Sequence, residues 1–374
     1  MPTLGLYLHI PFCKSKCAYC DFYSLAGSEA RMDDYTAALA RDLCDTAPRA
    51  QGYTVDTVYF GGGTPSYLGG ARLVRLLDTV RTHYALAPDA EITLEANPDS
   101  ADEHTLRMLR AAGFDRLSLG MQCADDATLR SIGRIHTHAQ TVQAVQAARA
   151  AGFDNVSLDL IYGLPRQTLP LWRESLQAAL ALAPQHLSCY GLKVEEGTPL
   201  ARQRSSVLLP DDDAQAAMYL ETAELLAQSG YEQYEISNFA CPGYASRHNL
   251  RYWQMQEYLG FGPGAHSDFG GERFARARSL ERYLRGASPD SERSAPLARE
   301  RTEELVMLSL RTAQGLSLDA LAQRGLDTAA LLPFFRRCAA EGLAQLTQER
   351  FSLTPRGFLV SNAVIVQVLE LLGL

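Results

Sequence analysis

The sequence has no long uninterrupted apolar run, no excess of positive charge, no low-complexity tract and no internal repeat. Each absence narrows the field. The most apolar stretch, FLVSNAVIVQVLELLGL from Phe358 to Leu374, is interrupted by Ser361, Asn362, Gln367 and Glu370 and is too short for a membrane span. The 35 basic residues are outnumbered by 43 acidic ones, giving a net charge of −8, so the chain as a whole has no electrostatic reason to bind nucleic acid. The opening residues MPTLGLYLHIPFC lack a basic n-region and read as a strand, so no signal peptide is expected. The expected location is therefore the cytoplasm. In its reducing environment the eight cysteines point to metal ligation or plain burial rather than to disulfides. A 374-residue chain with 47% hydrophobic and 21% charged residues is an ordinary folded protein of two to three domains.

Short β-rich runs alternate with helical stretches through the first half. Six strands are expected at 4–10, 54–60, 91–95, 116–120, 155–163 and 186–192, and helices at 29–47, 70–85, 101–112, 125–132, 137–151 and 168–182. Gly113 and Gly152 stand where a helix would end on a left-handed glycine. The alternation predicts an α/β fold with a parallel sheet and right-handed crossovers. Six units suit a partial (βα)6 barrel, with an open doubly wound sheet as the alternative. In a barrel, function collects at the C-terminal ends of the strands. The cysteine-rich loop, GGGTPS, EANP, GMQ and Asp159 with YGLP all fall at such ends. The expected division is a barrel core over 1–235, an extension and linker over 236–300, and a C-terminal unit over 301–374. Within the extension, Glu272 to Arg301 holds eight Arg against five acids and reads as a solvated helix and linker in preference to a binding patch. The last unit reads helix, helix, helix, two short strands (AQLTQ and RFSLTP), helix, the order of a winged helix. Its third helix, LLPFFRRCAAEG, offers only Arg336 and Arg337 as cations, which favours a structural or partner-binding role over DNA.

Cys13, Cys17 and Cys20 form C-x3-C-x2-C on the loop after the first strand. Three thiolates on one tight loop can hold three irons of a cubane and leave the fourth open; thiolate softness favours Fe–S or zinc over hard cations. A structural zinc would need a fourth ligand, for which His9 is the nearby candidate. Gly61, Gly62 and Gly63 let backbone approach a ligand closely. Glu95, Asp159 and Gln122 can hydrogen-bond ribose hydroxyls or an amino group, although each alone reads equally as a capping or surface polar residue. Cys44, Cys123, Cys189, Cys241 and Cys338 show no ligand spacing and read as buried or incidental.

The segment YLHIPFCKSKCAYCDF, together with GGGTPS, EANP, GMQ and LDLIYGLP, resembles the HemN-like branch of the radical SAM superfamily over nearly the whole chain. That branch comprises oxygen-independent coproporphyrinogen III oxidases and heme chaperones. The resemblance implies a [4Fe-4S] cluster on Cys13, Cys17 and Cys20, with S-adenosylmethionine (SAM) docked on the open iron. It also implies SAM or cluster contacts from Tyr7, Tyr19, Gly62, Gly63, Thr64, Glu95, Gln122, Arg134 and Asp159. The oxidases carry a further Cys two residues after the third cluster cysteine; here Asp21 and Phe22 follow Cys20. The chain also contains HNLRYW, His248 to Trp253, and YLGFGPGAHS, which resemble segments of the chaperone group. These features favour a heme-binding and heme-delivering protein over a radical decarboxylase of coproporphyrinogen III. The resemblance further implies recipient hemoproteins, membrane-bound respiratory proteins among them, and cluster-promoted dimerisation.

A neutral imidazole is a good axial ligand for heme iron. Tyr252 and Trp253 offer flat faces for a porphyrin, and Asn249 could orient the imidazole through its other nitrogen. From the residues alone His248 reads first as a structural histidine in a polar corner. The resemblance makes it the first candidate for the heme ligand, with His266 second.

Overall fold

Apolar side chains at every second position turn the first run into a strand with two different faces. In β1 (Thr3–Ile10), Leu4, Leu6, Leu8 and Ile10 are fully buried and face the helices, while Gly5, Tyr7 and His9 face the other way. The structure, a computed structural model, describes residues 1–203, 207–286 and 290–374. Five further strands follow: β2 (Thr54–Gly62), β3 (Leu86–Ala96), β4 (Arg116–Gln122), β5 (Asn155–Tyr162) and β6 (His186–Gly191). All six pair in parallel in chain order. The crossover helices are α1 (Met32–Thr46), α2 (Gly70–His83), α3 (Glu103–Ala111), α4 (Asp126–Ser131), α5 (His138–Ala150) and α6 (Leu169–Ala181). In α1 the buried positions Met32, Tyr35, Thr36, Leu39 and Leu43 recur at helical spacing and form the face laid on the sheet. Asp102, Asp125, Thr137 and Thr168 cap the starts of α3 to α6. Gly113 and Gly152 have φ of +98° and +91° beyond the ends of α3 and α5, as their positions predict.

The six strands make an open arc, extended at both edges. Beyond β6, β7 (Asn238–Ala240) pairs antiparallel. Beyond β1, β8 (Tyr258–Phe261) pairs in parallel, followed by β9 (His266–Phe269), β10 (Glu272–Arg276) and β11 (Asp290–Ser294), all antiparallel. The stretch from Glu272 to Arg301 is therefore sheet, a short helix (Leu280–Leu284) and a second strand, not the solvated helix and linker expected of it. Several of its arginines form ion pairs: Arg273 with Asp268 and Glu304, Arg276 with Asp42, Arg293 with Glu272, and Arg301 with Asp268.

The C-terminal unit has its own core, built on Leu310, Phe335, Phe351 and Val368. Its helices Ala298–Ser309, Leu318–Ala322 and Leu332–Ala340 precede strands Ala344–Leu346 and Arg350–Leu353. A short strand, Leu316–Ser317, which the sequence reading lacked, completes a three-stranded sheet. The last helical stretch is divided into Pro355–Leu359 and Ser361–Leu372. Among the described residues no helix is long and apolar enough to cross a membrane.

One buried cation pins the extension to the barrel. Arg251 is 1% exposed and pairs with Asp56 of β2. It also donates to the carbonyl of Glu257 (3.1 Å) and packs where a Cβ on Gly5 would come within 2.5 Å of its Cδ. Replacing Arg251 by Met should cost about 3 kcal/mol of stability, the range for breaking a buried ion pair, read as a lowered denaturant midpoint. A change below about 0.5 kcal/mol, the size of an ordinary surface effect, would mean that the pair does not hold the segment.

Candidate functional site

The parallel register brings the strand ends together. Ile10 stands beside Gly62, and Glu95 beside Ser118, while Asp159 stands beside Ser188. Above these ends lies a cavity of about 490 Å³. Cys13, Cys17, Cys20, Tyr19, Gly62, Gly63, Thr64, Glu95, Gln122, Arg134 and Asp159 all line it. The sequence reading did not single out Asn97, Arg116, Ser118 and Ser188, which line the same space. Asn97 was within reach of sequence, since it belongs to the EANP strand end. Arg116 sits inside a strand and carries no local signal.

The cysteine loop has little regular structure of its own and is tied down by hydrogen bonds. Thr64 Oγ1 donates to Cys13 Sγ (3.5 Å) and accepts from Asn97 Nδ2 (3.1 Å). Arg134 donates to Asn97 Oδ1 (2.8 Å), to the Gly120 carbonyl (2.6 Å) and to Cys17 Sγ (3.6 Å). The result is an unbroken chain from Cys13 through Thr64, Asn97 and Arg134 to Cys17. The Ala18 amide adds a bond to the Ile132 carbonyl (2.9 Å). All three cysteines are free, and burial pushes the Cys13 and Cys20 thiols up, so metal binding must displace their protons.

The glycine turn is shaped by contact as well as by conformation. Gly62 has φ +110°, and a Cβ there would meet the His9 ring at 2.5 Å. A Cβ on Gly63 would meet the carbonyls of Ile10 and Phe12 at 2.8 Å. Gln122 ends β4 at φ +66° beside an irregularity in the β4–β5 pairing, a strained conformation for a residue with a side chain. Glu95 accepts from Tyr59 OH (2.8 Å) and from the Gly62 amide (3.0 Å). Burial pushes its carboxyl up to about 7, with Asp159 adding to the rise while the two hydrogen bonds oppose it. Asp159 is also raised, chiefly by burial, against the pull of hydrogen bonds from Ser188 and Ser118 and the charge of Arg116. A site with carboxyls held up in this way is poised to gain from a cationic or hydroxyl-bearing ligand.

The residues fit the group that the motif implies. Among the described residues no three His, Cys, Asp or Glu side chains converge on a single point. A mononuclear zinc, with Zn–S bonds of about 2.3 Å, requires such convergence, whereas a cubane takes one thiolate on each of three separate irons. His9 is not placed as a fourth ligand, since its Nδ1 meets Tyr7 OH (3.1 Å) and its Nε2 the Tyr23 carbonyl (2.8 Å). When bound, the cluster would supply one-electron chemistry at an iron that the chain does not ligate. Gly62 and Gly63 would present backbone to SAM, and Glu95, Gln122 and Asp159 would present hydrogen-bonding groups.

Comparison with known proteins follows the same lines. The radical SAM superfamily matches residues 7–179 and the HemN C-terminal domain matches residues 298–360. The heme chaperone HemW of Mycobacterium tuberculosis (strain H37Rv) is 40% identical over 96% of this chain and 93% of its own. HemW of Escherichia coli (strain K12) is 37% identical over 98% of each. The chain belongs to the HemW family. Among solved structures, coproporphyrinogen III oxidase (HemN) of Escherichia coli superposes with a TM-score of 0.83. It is 26% identical and covers 98% of this chain and 89% of that one.

Three of the residues expected at the site lie elsewhere. Tyr7 faces a neighbouring groove. His248 is 1% exposed and is fully engaged, Nδ1 with Thr57 Oγ1 (2.8 Å) and Nε2 with Tyr252 OH (2.8 Å). Burial, reinforced by Arg251 and Arg116, pulls it down to about 3, so the ring is neutral. In this arrangement both ring nitrogens of the expected axial ligand, His248, are hydrogen-bonded within the protein. The partners are Thr57 and Tyr252, so Asn249 does not orient the ring; it lines the cluster cavity instead. His266 is exposed on β9, on the wall of the groove that Tyr7 faces.

Two outcomes test the site. Anaerobically prepared protein should carry about four irons per chain. Serine at Cys13, Cys17 or Cys20 should reduce this to near zero, while serine at Cys338 should leave it unchanged; retention of iron by all three loop variants would refute the assignment. The Glu95 carboxyl gives a pH signature. Between its usual 4.5 and about 7 the folded protein keeps a proton that the unfolded chain releases, so Glu95 destabilises the fold progressively as pH rises through that window. In ligand-free protein, Glu95→Gln should therefore gain a few degrees in Tm relative to wild type between about pH 5 and about pH 8. A difference that does not change with pH would show that the carboxyl is ionised throughout.

Proposed function

We propose that this protein is a heme carrier that binds heme and passes it to recipient hemoproteins, with a [4Fe-4S] cluster and SAM held in the barrel cavity. The observation that carries the reading is the placement of the HNLRYW segment. Its helix (Arg247–Trp253) docks against the barrel, with the amides of Arg247 and His248 donating to Glu91 (3.0 and 3.1 Å) and His248 bonding to Thr57. Tyr252 is thereby delivered to the wall of a groove beside the cysteine loop. The near-full-length relatives named as heme chaperones support the same reading.

The second reading is an oxygen-independent coproporphyrinogen III oxidase, favoured by the superposition on that enzyme. Against it stands the position two residues after Cys20, where this chain has Phe22. The finer parts of the proposal are a cytoplasmic location with delivery at the inner membrane, membrane-bound respiratory recipients, a cluster-promoted homodimer, and a functional division at about residues 235 and 300.

A parallel assay separates the readings. The reconstituted protein should bind heme stoichiometrically and transfer it to an apo-hemoprotein, without consuming coproporphyrinogen III when SAM and reductant are supplied. The Cys13→Ser variant should still bind heme and fail at transfer. Turnover of coproporphyrinogen with SAM consumption would establish the oxidase instead.

A further inference from the structure

Beside the cluster cavity lies a second hollow of about 400 Å³, within the range of small-molecule sites of roughly 300–1,000 Å³. Its walls are aromatic: Tyr7 from β1, Phe22 and Tyr23 from the cysteine loop, Tyr252 from the HNLRYW helix, and Tyr258 from β8. Phe22 is 69% exposed, so its ring is accessible to a ligand seated in the groove. Tyr252 and Tyr258 meet edge to face at 4.6 Å, so one ring braces the other.

Three imidazoles stand near this groove, and they differ in what they can still bind. His9 and His248 are buried with both nitrogens engaged. His266 is exposed, and among the described residues no hydrogen bond is made to its ring. It stands on a wall that Tyr252 and Tyr258 share with a third hollow of about 390 Å³. Charge distinguishes the two sides. The third hollow presents Asp268, Glu292 and Glu304, and its guanidinium, Arg273, is already paired with Asp268 and Glu304. The aromatic groove carries Arg278, which spends one N–H on the Asp21 carbonyl (2.7 Å). Its single lining carboxylate, Asp21, is solvent-exposed.

We propose that the aromatic groove seats the heme, with His266 as axial ligand to the iron and Arg278 pairing with a propionate. The proposal rests on the carrier reading above and specifies its site. A planar, dianionic iron tetrapyrrole needs flat apolar walls, one free imidazole and a cation at the rim, and the groove supplies each. His248 then acts as a positioning residue: its Nε2 fixes the Tyr252 hydroxyl and so the wall. The exposed ligand and open rim suit a cargo that must leave again.

The test uses the full-length, cluster-reconstituted protein titrated with hemin. Wild type should show an imidazole-ligated Soret band. His266→Ala should lose that signature and weaken binding about tenfold or more, and free imidazole should restore the band in His266→Gly. His248→Ala, checked for folding by circular dichroism, should keep the imidazole signature, as should Tyr252→Phe. Arg278→Ala should erase the preference for hemin over its dimethyl ester. Unchanged affinity and spectrum in His266→Ala overturn the proposal, as does loss of the imidazole signature in a folded His248→Ala alone. Absence of heme binding by wild type removes the carrier reading itself.

Discussion

The site depends on holding an irregular loop in register with a parallel sheet. A loop carrying three thiols has little backbone pairing of its own and would otherwise sample many arrangements, each entropically cheap. The chain of bonds from Cys13 through Thr64, Asn97 and Arg134 to Cys17 removes that freedom. Its members come from the cysteine loop, the turn after β2, the end of β3 and the segment after α4. They meet only because the strands run parallel and end at the same level. Partly satisfied, such a network would be costly in a low-dielectric pocket; satisfied, it specifies one geometry.

The same alternation that buries leucines on the outer face makes the inner face polar. Thr57 and Tyr59, Glu91, Thr93 and Glu95, Arg116 and Ser118, Ser157 and Asp159 stand at alternate positions on successive strands. The residues nearer the strand ends line the cluster cavity. Among the deeper ones, Thr57 and Glu91 receive the HNLRYW helix, and Ser157 bonds to His186 (2.7 Å). That helix thus satisfies buried polar groups of the barrel with its own amides and imidazole, as polar burial demands. His248, the histidine that draws attention as a ligand, is in this arrangement hydrogen-bonded into the barrel wall.

The barrel was legible because its signals are local and repeated. The β runs show apolar alternation, four of the six crossover helices start on a capping Asp or Thr, and the strand ends carry the cysteine, glycine and carboxylate motifs. The cluster cysteines and their glycine turn were legible for the same reason. What escaped has a non-local cause. Strand β8 has only four residues, and it becomes a strand by pairing with β1, some 250 positions earlier in the numbering. The arginines of Glu272 to Arg301 look solvated in sequence, yet Arg276 reaches Asp42 across the fold (2.8 Å). His248 illustrates the limit most sharply, since its role is set by Thr57 in another strand. Motif and spacing marked the residue without revealing that both its nitrogens are taken.

The cluster cavity and the aromatic groove share one piece of chain, Asp21 and Phe22, which lines both. Directly before it stands Cys20, a cluster ligand in the motif; shortly after it Tyr23 gives its carbonyl to His9 and its ring to the groove. Whatever orders the cysteine loop therefore also sets the position of two aromatic walls. Coupling of this kind needs no long-range pathway, only a short segment whose two faces belong to different sites. It also gives a physical meaning to the residue two after Cys20. In the oxidase pattern that position is a cysteine within the cluster region. Here it is an exposed phenylalanine that lines both sites and contributes apolar surface to the groove.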